Sequence, residues 1–570
     1  MESPATEIPE NYTQLPGSER RPSKEATLIG PADASETFPI TIVLRRRPDG
    51  PAMPDFDYFS KTPPQKRKRL SQDEFAAKYG AYPEDIEKVT DFAKNAGLTV
   101  EEIHPDQRSV IVRGTVAAMD KAFSLKLGHY QHTVKNKILT NSHPVTETYR
   151  GRDGFIHVPK DLLHIITGVF GLDNRNITKR NQADPVNTGP MTTQQFAALY
   201  NFPANSAAGQ TIAIFSEAGY QPADINSTFG GNPPQVTDIA VNRSNNGKAD
   251  GETTQDICIA AAAAPGAAIA VYFTSYDQVG WVNLIQRVIH PLPGDPSCSV
   301  LSSSFYVSDN DDKDSLDGIT LNWISAVTMA FHDAAVQGVT VCIATGDTGS
   351  DSKMGDGQQH VQYPASDPWV LAVGGTTLGN LSGNSFDEYI WNDTFFGSDV
   401  GATGGGVSAF FPLPPYQQNC NVPVSLKTNA PGRGLPDVAA NASPNAGYNI
   451  VLGGAQSTGN GTSASAPLWA GLLAVINAAL GTAVGFINTQ IYQFGSAPFH
   501  DIDGTAGPAD NGLNGVPGYP ARAGWDACTG WGSPDGKALL AAFQALGPAN
   551  AIAGNTANAG TITGVSATAT

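Results

Sequence analysis

The chain has 570 residues, with 35 Lys and Arg against 53 Asp and Glu, which gives a formal net charge of −18. Residues 1–182 carry a net charge of +2 and the remainder a net charge of −20, so the two parts differ sharply. So few clustered cations argue against nucleic acid or an anionic membrane as the partner. The acidic part suits a protein that works at low pH, where carboxylates are partly protonated and repel one another less.

The amino-terminal part predicts a leader followed by a small α+β unit. Residues 1–36 are rich in Pro, Glu and Ser, which predicts a disordered leader. One of the helices that follow opens on the capping box Ser71–Glu74. The predicted elements are a strand over 38–47, a helix from 71, a helix over 83–96, a strand over 109–115, a helix over 117–124 and further strands to 158.

The hydrophobic pattern and the net charge of the chain change after this unit. Residues 174–190 have no hydrophobic periodicity, contain Lys179-Arg180 and coincide with the change in net charge. They predict a linker that is open to proteolysis.

From Gly209 the chain alternates apolar strands with helices. The predicted strands are 211–215, 268–273, 300–306, 339–344 and 370–373, and the predicted helices are 252–264, 281–289, 322–336 and 463–480. Apolar strands separated by helices imply a parallel sheet with helices on both faces. In such sheets the functional groups gather at the carboxyl ends of the strands. Residues 549–570 are built largely from Ala, Gly, Asn and Thr and predict a flexible tail.

The cysteines and the chain ends decide little about location. Five cysteines lie after residue 250 without a CxxC pair, which argues against thiolate-bound metal and allows at most two intramolecular disulfides. The first eleven residues contain no apolar signal segment, and no stretch reaches the roughly 18 apolar residues of a membrane span. We expect a soluble chain and, if it is exported, a signal outside this sequence or an unconventional route.

Ser463 has the setting of a serine nucleophile. The turn Gly461-Thr462-Ser463 leads into the apolar stretch Pro467–Leu480, whose helical pattern is too full to be amphipathic. Ser463 is therefore expected at the start of a buried helix, where backbone N–H groups and the positive dipole end favour an oxyanion. Taken alone, such a serine more often serves simply as a helix cap.

Carboxylates supply the remaining reactive groups. Glu252 and Asp256 stand four apart at the start of a predicted helix, so their side chains lie one turn apart on the same face and can share a proton. Asp347 directly follows a buried strand, at the edge where α/β sites form. Each has an ordinary explanation when taken alone: acids complement a helix dipole, and Asp is common in Gly-Asp-Thr-Gly turns.

Taken together, these segments resemble the sedolisin family of serine-carboxyl peptidases, and most closely its kumamolisin branch. The resemblance runs from about Phe38 to Leu546. Eight segments match in one order: Gly209–Ile214, the Glu252/Asp256 helix, Ala264–Ala267, Ile343–Ser350, Gly404–Ser408, Arg433–Val438, Gly461–Ser463 and Gly524–Gly530.

The resemblance implies a subtilisin-like parallel sheet preceded by a small, ferredoxin-like α+β pro-domain. The implied division is a leader over 1–36, a pro-domain over 37–175, a processing linker over 176–190, a catalytic domain over 191–548 and a tail over 549–570.

The resemblance also implies a role for each reactive residue. Ser463 would be the nucleophile, Glu252 its general base and Asp256 the partner that polarises Glu252, as Asp does for His in other serine peptidases. Asp347 would be protonated and would donate to the oxyanion together with the Ser463 N–H. A neutral donor acid and a carboxylate base, whose ordinary pKa is about 4.3, both point to action at acidic pH.

Two further positions concern the substrate side of the site. Glu217 follows the first core strand and matches a glutamate that extends the proton network in some relatives, although the local spacing is one residue shorter and an ordinary loop acid fits equally well. Phe305-Tyr306 stands where kumamolisins usually have Trp-Gly, a departure that affects subsite preference rather than the chemistry.

One calcium ion is implied near the carboxyl end. The family's calcium-binding segments match Phe499–Ile502 and Gly524–Asp526. The implied ligands are the side chains of Asp501 and Asp526 and the carbonyls of Ile502, Arg522 and Gly524. Such a mixture of carboxylate and carbonyl oxygens suits a hard cation.

The pro-domain suggests how a precursor could sense pH. Its six histidines (His104, His129, His132, His143, His157 and His164) charge on acidification while the carboxylates of the catalytic part neutralise. We expect the attraction between the two parts to weaken in acid and cleavage to follow between about Asn174 and Pro190.

The expected protein is a secreted, monomeric endopeptidase that acts on proteins or peptides, is held by its own pro-domain, and binds neither nucleic acid nor membrane. Three other interpretations stay open. They are a tripeptidyl exopeptidase on the same scaffold, a catalytically silent calcium-stabilised surface protein, and a two-carboxylate glycosidase, which would leave Ser463 unexplained.

Overall fold

The computed structural model describes residues 8–23, 26–134, 145–180, 191–308, 319–383, 385–396 and 401–547. The predicted tail and most of the predicted linker, residues 181–190, lie outside the described residues.

An α+β unit forms the amino-terminal part. Its elements are β1 (Tyr12–Gln14), β2 (Thr27–Pro31), β3 (Thr37–Leu44), α1 (Phe56–Lys61), α2 (Gln72–Tyr79), α3 (Pro83–Asn95), β4 (Thr99–His104), β5 (Ser109–Thr115), α4 (Val116–Ala122), β6 (Gly128–Val134), β7 (Val145–Gly151), β8 (His157–Pro159) and β9 (Ile166–Phe170).

The main sheet of this unit has the antiparallel order β4-β5-β3-β9, with helices between β3 and β4 and between β5 and β9. This is the ferredoxin-like arrangement, as predicted. The buried faces of β3 and β5 and of helices α3 and α4 form one apolar cluster, which includes Ile40, Val89, Val112 and Met119.

The leader was expected to be disordered, and the described part of it is not. Strand β1 pairs with β8, and β2 pairs with β6. Leu15 is buried in the apolar cluster of the α+β unit, which explains why a segment of low overall hydrophobicity is held in place. Composition alone could not reveal a single anchoring leucine.

The rest of the chain forms an α/β unit. Its elements are β10 (Lys179–Arg180), α5 (Thr193–Leu199), β11 (Thr211–Ser216), α6 (Pro222–Thr228), β12 (Val236–Ala240), α7 (Gly251–Ala263), β13 (Ala268–Phe273), α8 (Gln278–Ile289), β14 (Val300–Ser303), β15 (Phe305–Ser308), α9 (Leu321–Gln337), β16 (Thr340–Ala344), β17 (Gln362–Tyr363), β18 (Leu371–Ser382), β19 (Ser385–Ile390), β20 (Gly406–Val407), β21 (Gly434–Leu435), β22 (Val438–Asn441), β23 (Tyr448–Leu452), β24 (Ala455–Gly459), α10 (Thr462–Leu480), α11 (Asn488–Phe494), β25 (Phe499–His500), β26 (Ser533–Pro534) and α12 (Gly536–Ala545).

A parallel sheet in the order β12-β13-β11-β14-β16-β18 runs through this unit, with β22 parallel to β18 and β19 antiparallel to it. Both faces are covered: Ile212 and Ile214 of β11 join one apolar cluster with α7 and α10, whereas Ala213 and Phe215 join another with α8 and α9. The predicted doubly covered parallel sheet is confirmed.

One predicted strand, 300–306, is divided in the structure. Strand β14 belongs to the parallel sheet, but after Ser304 the chain leaves it, and β15 lies between β10 and β17 in a separate three-stranded sheet. An apolar run indicates burial but does not show where a strand changes its partner.

Helix α10 is long and apolar enough to cross a membrane by length and composition, with a mean hydropathy of 1.5 over 18 residues, yet 83% of that stretch is buried inside the protein. It packs closely on α7: a Cβ atom on Gly471 would lie 2.4 Å from the Cβ of Ala263 and 3.1 Å from the carbonyl oxygen of Ala260. The apolar side chains of α10 therefore belong to the core of the protein. All five cysteines are free thiols.

Candidate active site

Ser463 lies in the first turn of α10 and is fully buried. The preceding Gly461 has φ +78° and ψ 173°, a conformation that favours glycine, and its N–H donates to the carbonyl of Ala442 at 2.7 Å. The structure thus places Ser463 at the start of a buried helix, as predicted. Ser463 is not the residue that caps the helix, because that position belongs to Gly461.

Glu252 and Asp256 lie in the first two turns of α7, and both are buried. Gly471 of α10 contacts Ala260 and Ala263 of α7. About two turns before this contact, towards the amino end of each helix, the starts of α7 and α10 lie side by side. Gln255 fastens these ends together, since its side chain bonds both the N–H (2.9 Å) and the carbonyl (3.1 Å) of Asn460. The two carboxyls therefore lie at the same end of the helix pair as Ser463.

Ser304 links the two helices. Its hydroxyl lies 2.9 Å from Oδ1 of Asp256 and 3.3 Å from the carbonyl oxygen of Ser463. It follows directly on β14, at the carboxyl end of a central strand, where α/β sites form. Sequence reasoning missed Ser304, although its place at the end of an apolar strand was a usable signal.

Burial raises the pKa of Asp256 well above its ordinary value, and the neighbouring Glu252 carboxylate acts in the same direction, while the hydroxyl of Ser304 opposes the shift. Two carboxyls that share one buried site resist double ionisation. The Glu252 and Asp256 pair is therefore built to hold one proton under mildly acidic conditions.

Asp347 follows a strand of the sheet and contacts the start of α10. It follows β16, and its Oδ1 accepts hydrogen bonds from both the N–H and the hydroxyl of Thr462, each at 2.8 Å. The Thr462 hydroxyl also accepts from the N–H of Gly346 at 3.0 Å, which ties the strand end to the start of α10. The structure thus brings Asp347 next to the residue that precedes Ser463.

A further buried acid, Asp393, was not identified from the sequence. Burial raises its pKa to about 6, the nearby charge of Asp347 acts in the same direction, and the Ser443 hydroxyl opposes the shift. Its Oδ1 lies 3.4 Å from the Ser443 hydroxyl. Nothing in the segment around Asp393 marked it out, because only the fold brings it near Asp347.

Glu217 is buried but faces the junction with the amino-terminal unit. Its Oε1 accepts the hydroxyl proton of Thr178 at 2.7 Å, and the same hydroxyl accepts from the indole N–H of Trp281 at 2.9 Å. These contacts hold the chain just before β10, so they give Glu217 a role at the linker. Its predicted part in the proton network stays a prediction.

The linker enters the site as a β-strand. Lys179 pairs with Tyr306 and Arg180 with Phe305 in antiparallel register, one residue beyond Ser304. Upstream, the N–H of Ile177 donates to the carbonyl of Tyr276 at 2.9 Å. Strand β15 therefore offers its edge to an extended peptide, and the chain's own linker occupies that edge.

The α+β unit is fastened to the α/β unit by arginines. Arg46 and Arg108 bind opposite oxygens of the buried Asp333 carboxylate, at 2.6 and 2.7 Å. Burial alone would raise the pKa of Asp333, but the two guanidinium groups hold it far below its ordinary value. Arg67 instead donates to main-chain carbonyls, those of Val484 (2.9 Å) and Phe486 (2.6 Å). The low pKa of Asp333 keeps this carboxylate paired with both arginines in mild acid, and the predicted weakening of the attraction between the two units in acid stays a prediction.

The segments predicted to bind calcium lie together. Asp501 Oδ2 accepts from the N–H of Gly524 at 2.8 Å, and Asp526 Oδ2 accepts from the N–H of Arg522 at 3.2 Å, so both carboxyls reach one loop. Asp526 is 1% exposed, and burial raises its pKa to about 7 despite hydrogen bonds from Thr529, Cys528 and Arg522. A buried carboxylate in contact with this loop is compatible with a neighbouring cation, and the predicted ligand set stays a prediction.

Comparisons with known proteins agree with this arrangement. Residues 24–175 match the pro-kumamolisin activation domain, and residues 235–491 match the subtilase family. Kumamolisin of a Bacillus species is 37% identical over 95% of this chain and 98% of its own length. Tripeptidyl-peptidase sed5 of Aspergillus fumigatus is 30% identical over 92% of this chain and 96% of its own length.

A solved structure gives the same picture. Pseudomonas sedolisin, a serine-carboxyl proteinase complexed with two molecules of pseudo-iodotyrostatin, superposes with a TM-score of 0.53 at 27% identity, over 63% of this chain and 99% of its own.

Proposed function

The chain belongs to the kumamolisin and sedolisin family of serine-carboxyl peptidases and carries that family's pro-domain, and we propose that it is an endopeptidase that acts at acidic pH after processing itself. The observation that carries this proposal is the convergence of Ser463, the Glu252 and Asp256 pair and Asp347 at one end of α7 and α10. A glycosidase is thereby set aside. A catalytically silent protein would have no reason to retain four converging polar groups.

In the proposed reaction, Glu252 takes the Ser463 hydroxyl proton as the oxygen attacks the scissile carbonyl. Asp256, protonated more readily than an ordinary aspartic acid, donates a hydrogen bond to Glu252 and keeps it ionised as the base. Ser304 orients Asp256 through their 2.9 Å hydrogen bond. Glu252 then returns the proton to the leaving amine, and water completes the hydrolysis of the acyl-enzyme.

Asp347 supplies the oxyanion hole together with the Ser463 N–H. Because Oδ1 of Asp347 already accepts two hydrogen bonds from Thr462, a proton on this carboxyl resides on Oδ2, from which it can be donated to the oxyanion. Only the neutral acid can donate, so activity requires a pH at which Asp347 keeps its proton. The acidic catalytic part suits such surroundings, and we place the mature enzyme outside the cell as a monomer.

The linker supports endopeptidase action and self-processing. It lies along β15 as an internal stretch of chain, with Ile177 and Thr178 continuing upstream in contact with the α/β unit. A cleft that accepts a chain extending beyond three residues fits an endopeptidase better than a tripeptidyl peptidase. Since Arg180 lies one residue short of the level of Ser304, the first bond cut lies beyond Arg180.

We also propose that one calcium ion is held by the carboxylates of Asp501 and Asp526 and the carbonyls of Ile502, Arg522 and Gly524. The ion would neutralise the buried Asp526 and fix the loop that precedes β26. Titration of the metal-free protein with calcium should raise its melting temperature, and Asp501→Asn should abolish that rise. An equal rise in wild type and variant would contradict the assignment.

The function is tested by the pH profile of hydrolysis of a peptide library blocked at its amino end. The activated wild type should cut internal bonds with an optimum below pH 5, whereas Ser463→Ala and Asp347→Asn should lose at least a hundredfold in kcat. Activity only on unblocked peptides, with release of three-residue products, would instead assign the tripeptidyl activity.

A further inference from the structure

The edge strand β15 carries side chains that the reaction does not use. In the three-stranded sheet β10-β15-β17, Lys179 pairs with Tyr306, and Ser308 pairs with Gln362. Residues two apart on a strand share a face. Tyr306 and Gln362 are therefore diagonal neighbours on one face, with the linker strand beside them.

Both side chains are fully buried, and both carry unsatisfied polar atoms. The Tyr306 hydroxyl and both amide atoms of Gln362 have no hydrogen-bond partner anywhere in the part of the chain that the structure describes. A buried polar group without a partner costs roughly 1–3 kcal/mol. Three such atoms on one face of the sheet, next to the strand that the linker forms, indicate that a ligand supplies the missing hydrogen bonds.

The two side chains lie near Asp347, the residue proposed to donate to the oxyanion. The amide of Gln362 lies against the backbone of Gly346, where a Cβ atom would be only 2.4 Å from Nε2. Burial raises the pKa of the Tyr306 phenol far above its ordinary value, and the nearby carboxyls of Asp347 and Asp351 act in the same direction. Tyr306 is thus a neutral hydrogen-bonding group next to Asp347.

The register fixes which substrate residue meets this pair. Lys179 lies opposite Tyr306 and Arg180 opposite Phe305, so the following position of a bound strand is level with Ser304, which contacts Ser463. A substrate side chain at that position shares the face of Tyr306. With Ser463 as the proposed nucleophile, this residue is the one whose carbonyl would be attacked, because its level is that of Ser304, which contacts the main chain of Ser463.

We propose that Tyr306 and Gln362 form a pocket that selects a carboxamide side chain, glutamine or asparagine, on the residue that donates the scissile carbonyl. A carboxamide has an NH2 donor group and a carbonyl acceptor, which match the carbonyl and the NH2 group of the Gln362 amide. The Tyr306 hydroxyl can form a further hydrogen bond with the same side chain. An aliphatic side chain would leave all three atoms unsatisfied, and an ammonium group would leave the Gln362 donor unpaired. In the chain's own sequence, Arg180 is followed by Asn181 and Gln182.

This inference rests on the proposed peptidase function and is tested with three peptides, each blocked at both ends, that differ only at the residue before the scissile bond: glutamine, its near-isostere methionine, or leucine. At pH 4 we expect kcat/KM for the glutamine peptide to exceed that for the methionine peptide at least tenfold, because the pocket rejects a side chain that cannot hydrogen-bond. Equal rates in the wild type would overturn the proposal without the need for any variant.

Two variants test whether Gln362 and Tyr306 cause the preference for glutamine. Gln362→Leu should reduce the glutamine-to-methionine ratio to threefold or less, and Tyr306→Phe should reduce it severalfold. Gln358→Leu, which alters an exposed glutamine of the same loop, should keep the wild-type ratio. A ratio that survives Gln362→Leu would overturn the assignment of the pocket.

Different results would refute the proposed function and the proposed pocket. If hydrolysis persists in Ser463→Ala, or if none of the peptides is cut in acid, the proposed function itself falls and the pocket with it. If hydrolysis depends on Ser463 but ignores the side chain before the bond, only the pocket is refuted.

Discussion

A Cβ atom placed on Gly461 would lie 2.3 Å from Oδ2 of Asp347. The oxygen from which Asp347 would donate its proton thus lies directly over the turn that leads into the helix of Ser463. The contact explains why glycine is needed at this turn for a reason beyond its positive φ.

Gly461→Ala should therefore abolish hydrolysis, because the new methyl group displaces the Asp347 carboxyl. The matched control is Gly453→Ala: Gly453 has φ +60°, but a Cβ atom there would meet nothing within 4 Å. Both substitutions carry the strain of a positive φ, and the strain is larger at Gly461, roughly 1–3 kcal/mol, because its ψ of 173° lies in a region nearly confined to glycine. Steady-state kinetics and urea denaturation of the two variants together separate lost stability from the contact, and equal activities would show that the contact is unimportant.

Ser304→Ala should lower kcat about tenfold with little change in KM. The Ser304 hydroxyl orients Asp256, and its hydrogen bond holds the pKa of that carboxyl lower than burial and Glu252 would otherwise leave it. Its removal should also move the pH dependence of kcat to higher pH, a change that a purely structural defect would not produce. Ser302→Ala, which removes a buried hydroxyl with no hydrogen-bond partner in the described residues, should leave the profile in place.

Asp367 predicts how stability depends on pH. It is fully buried, and burial raises its pKa to about 6 against hydrogen bonds from Thr328 and Trp369. The folded state therefore prefers the protonated acid, so this stabilisation is complete below the unfolded pKa of about 4 and is lost as pH rises through 6.

Relative to Asp367→Asn, the wild type should lose up to about 3 kcal/mol of unfolding free energy between pH 4 and pH 7. Urea denaturation at both pH values measures the difference. A wild type that gained stability relative to the variant over this range would have the opposite sign and would contradict the buried state of Asp367.

His157 predicts an acid-sensitive element in the pro-domain. It is 8% exposed, and burial lowers its pKa, with Arg152 acting in the same direction against a hydrogen bond with the Ser124 backbone. The folded pro-domain therefore favours neutral His157 and loses stability as pH falls below the unfolded pKa of about 6.5.

His157→Phe should slow the acid-triggered conversion of the precursor severalfold, as followed by gel electrophoresis after a shift to pH 4. His164→Phe, at a more exposed histidine of the same unit, serves as the control and should convert at the wild-type rate. Identical rates for all three proteins would remove His157 from the mechanism of activation.

The sequence predicted the fold well where a local pattern carried the signal, and it indicated candidate reactive residues that the structure brings to one end of α7 and α10. The strands of the central sheet are continuous apolar runs, and a glycine turn followed by an unbroken apolar stretch indicates the helix of Ser463. Asp347 was visible because it follows such a strand. Each of these features is encoded within about 15 residues.

Features that depend on distant contacts were missed. Ser304 and Asp393 join the site only through folding, and Leu15 anchors a segment whose composition indicates disorder. The sequence also did not reveal Asp333, a buried carboxyl of the α/β unit whose pKa Arg108 and Arg46 hold far below its ordinary value. Charge totals do not reveal which carboxylates have which partners.

The central claim is that carboxyl groups alone activate the Ser463 hydroxyl. It is tested most directly by trapping the acyl-enzyme: the activated protein is mixed at pH 4 with a blocked peptide p-nitrophenyl ester, quenched in acid, and digested for mass spectrometry. We predict one acyl group per molecule on the peptide that contains Ser463, formed at least a hundredfold more slowly in Glu252→Gln. An acyl group on another residue, or labelling that is unchanged in Glu252→Gln, would contradict the account.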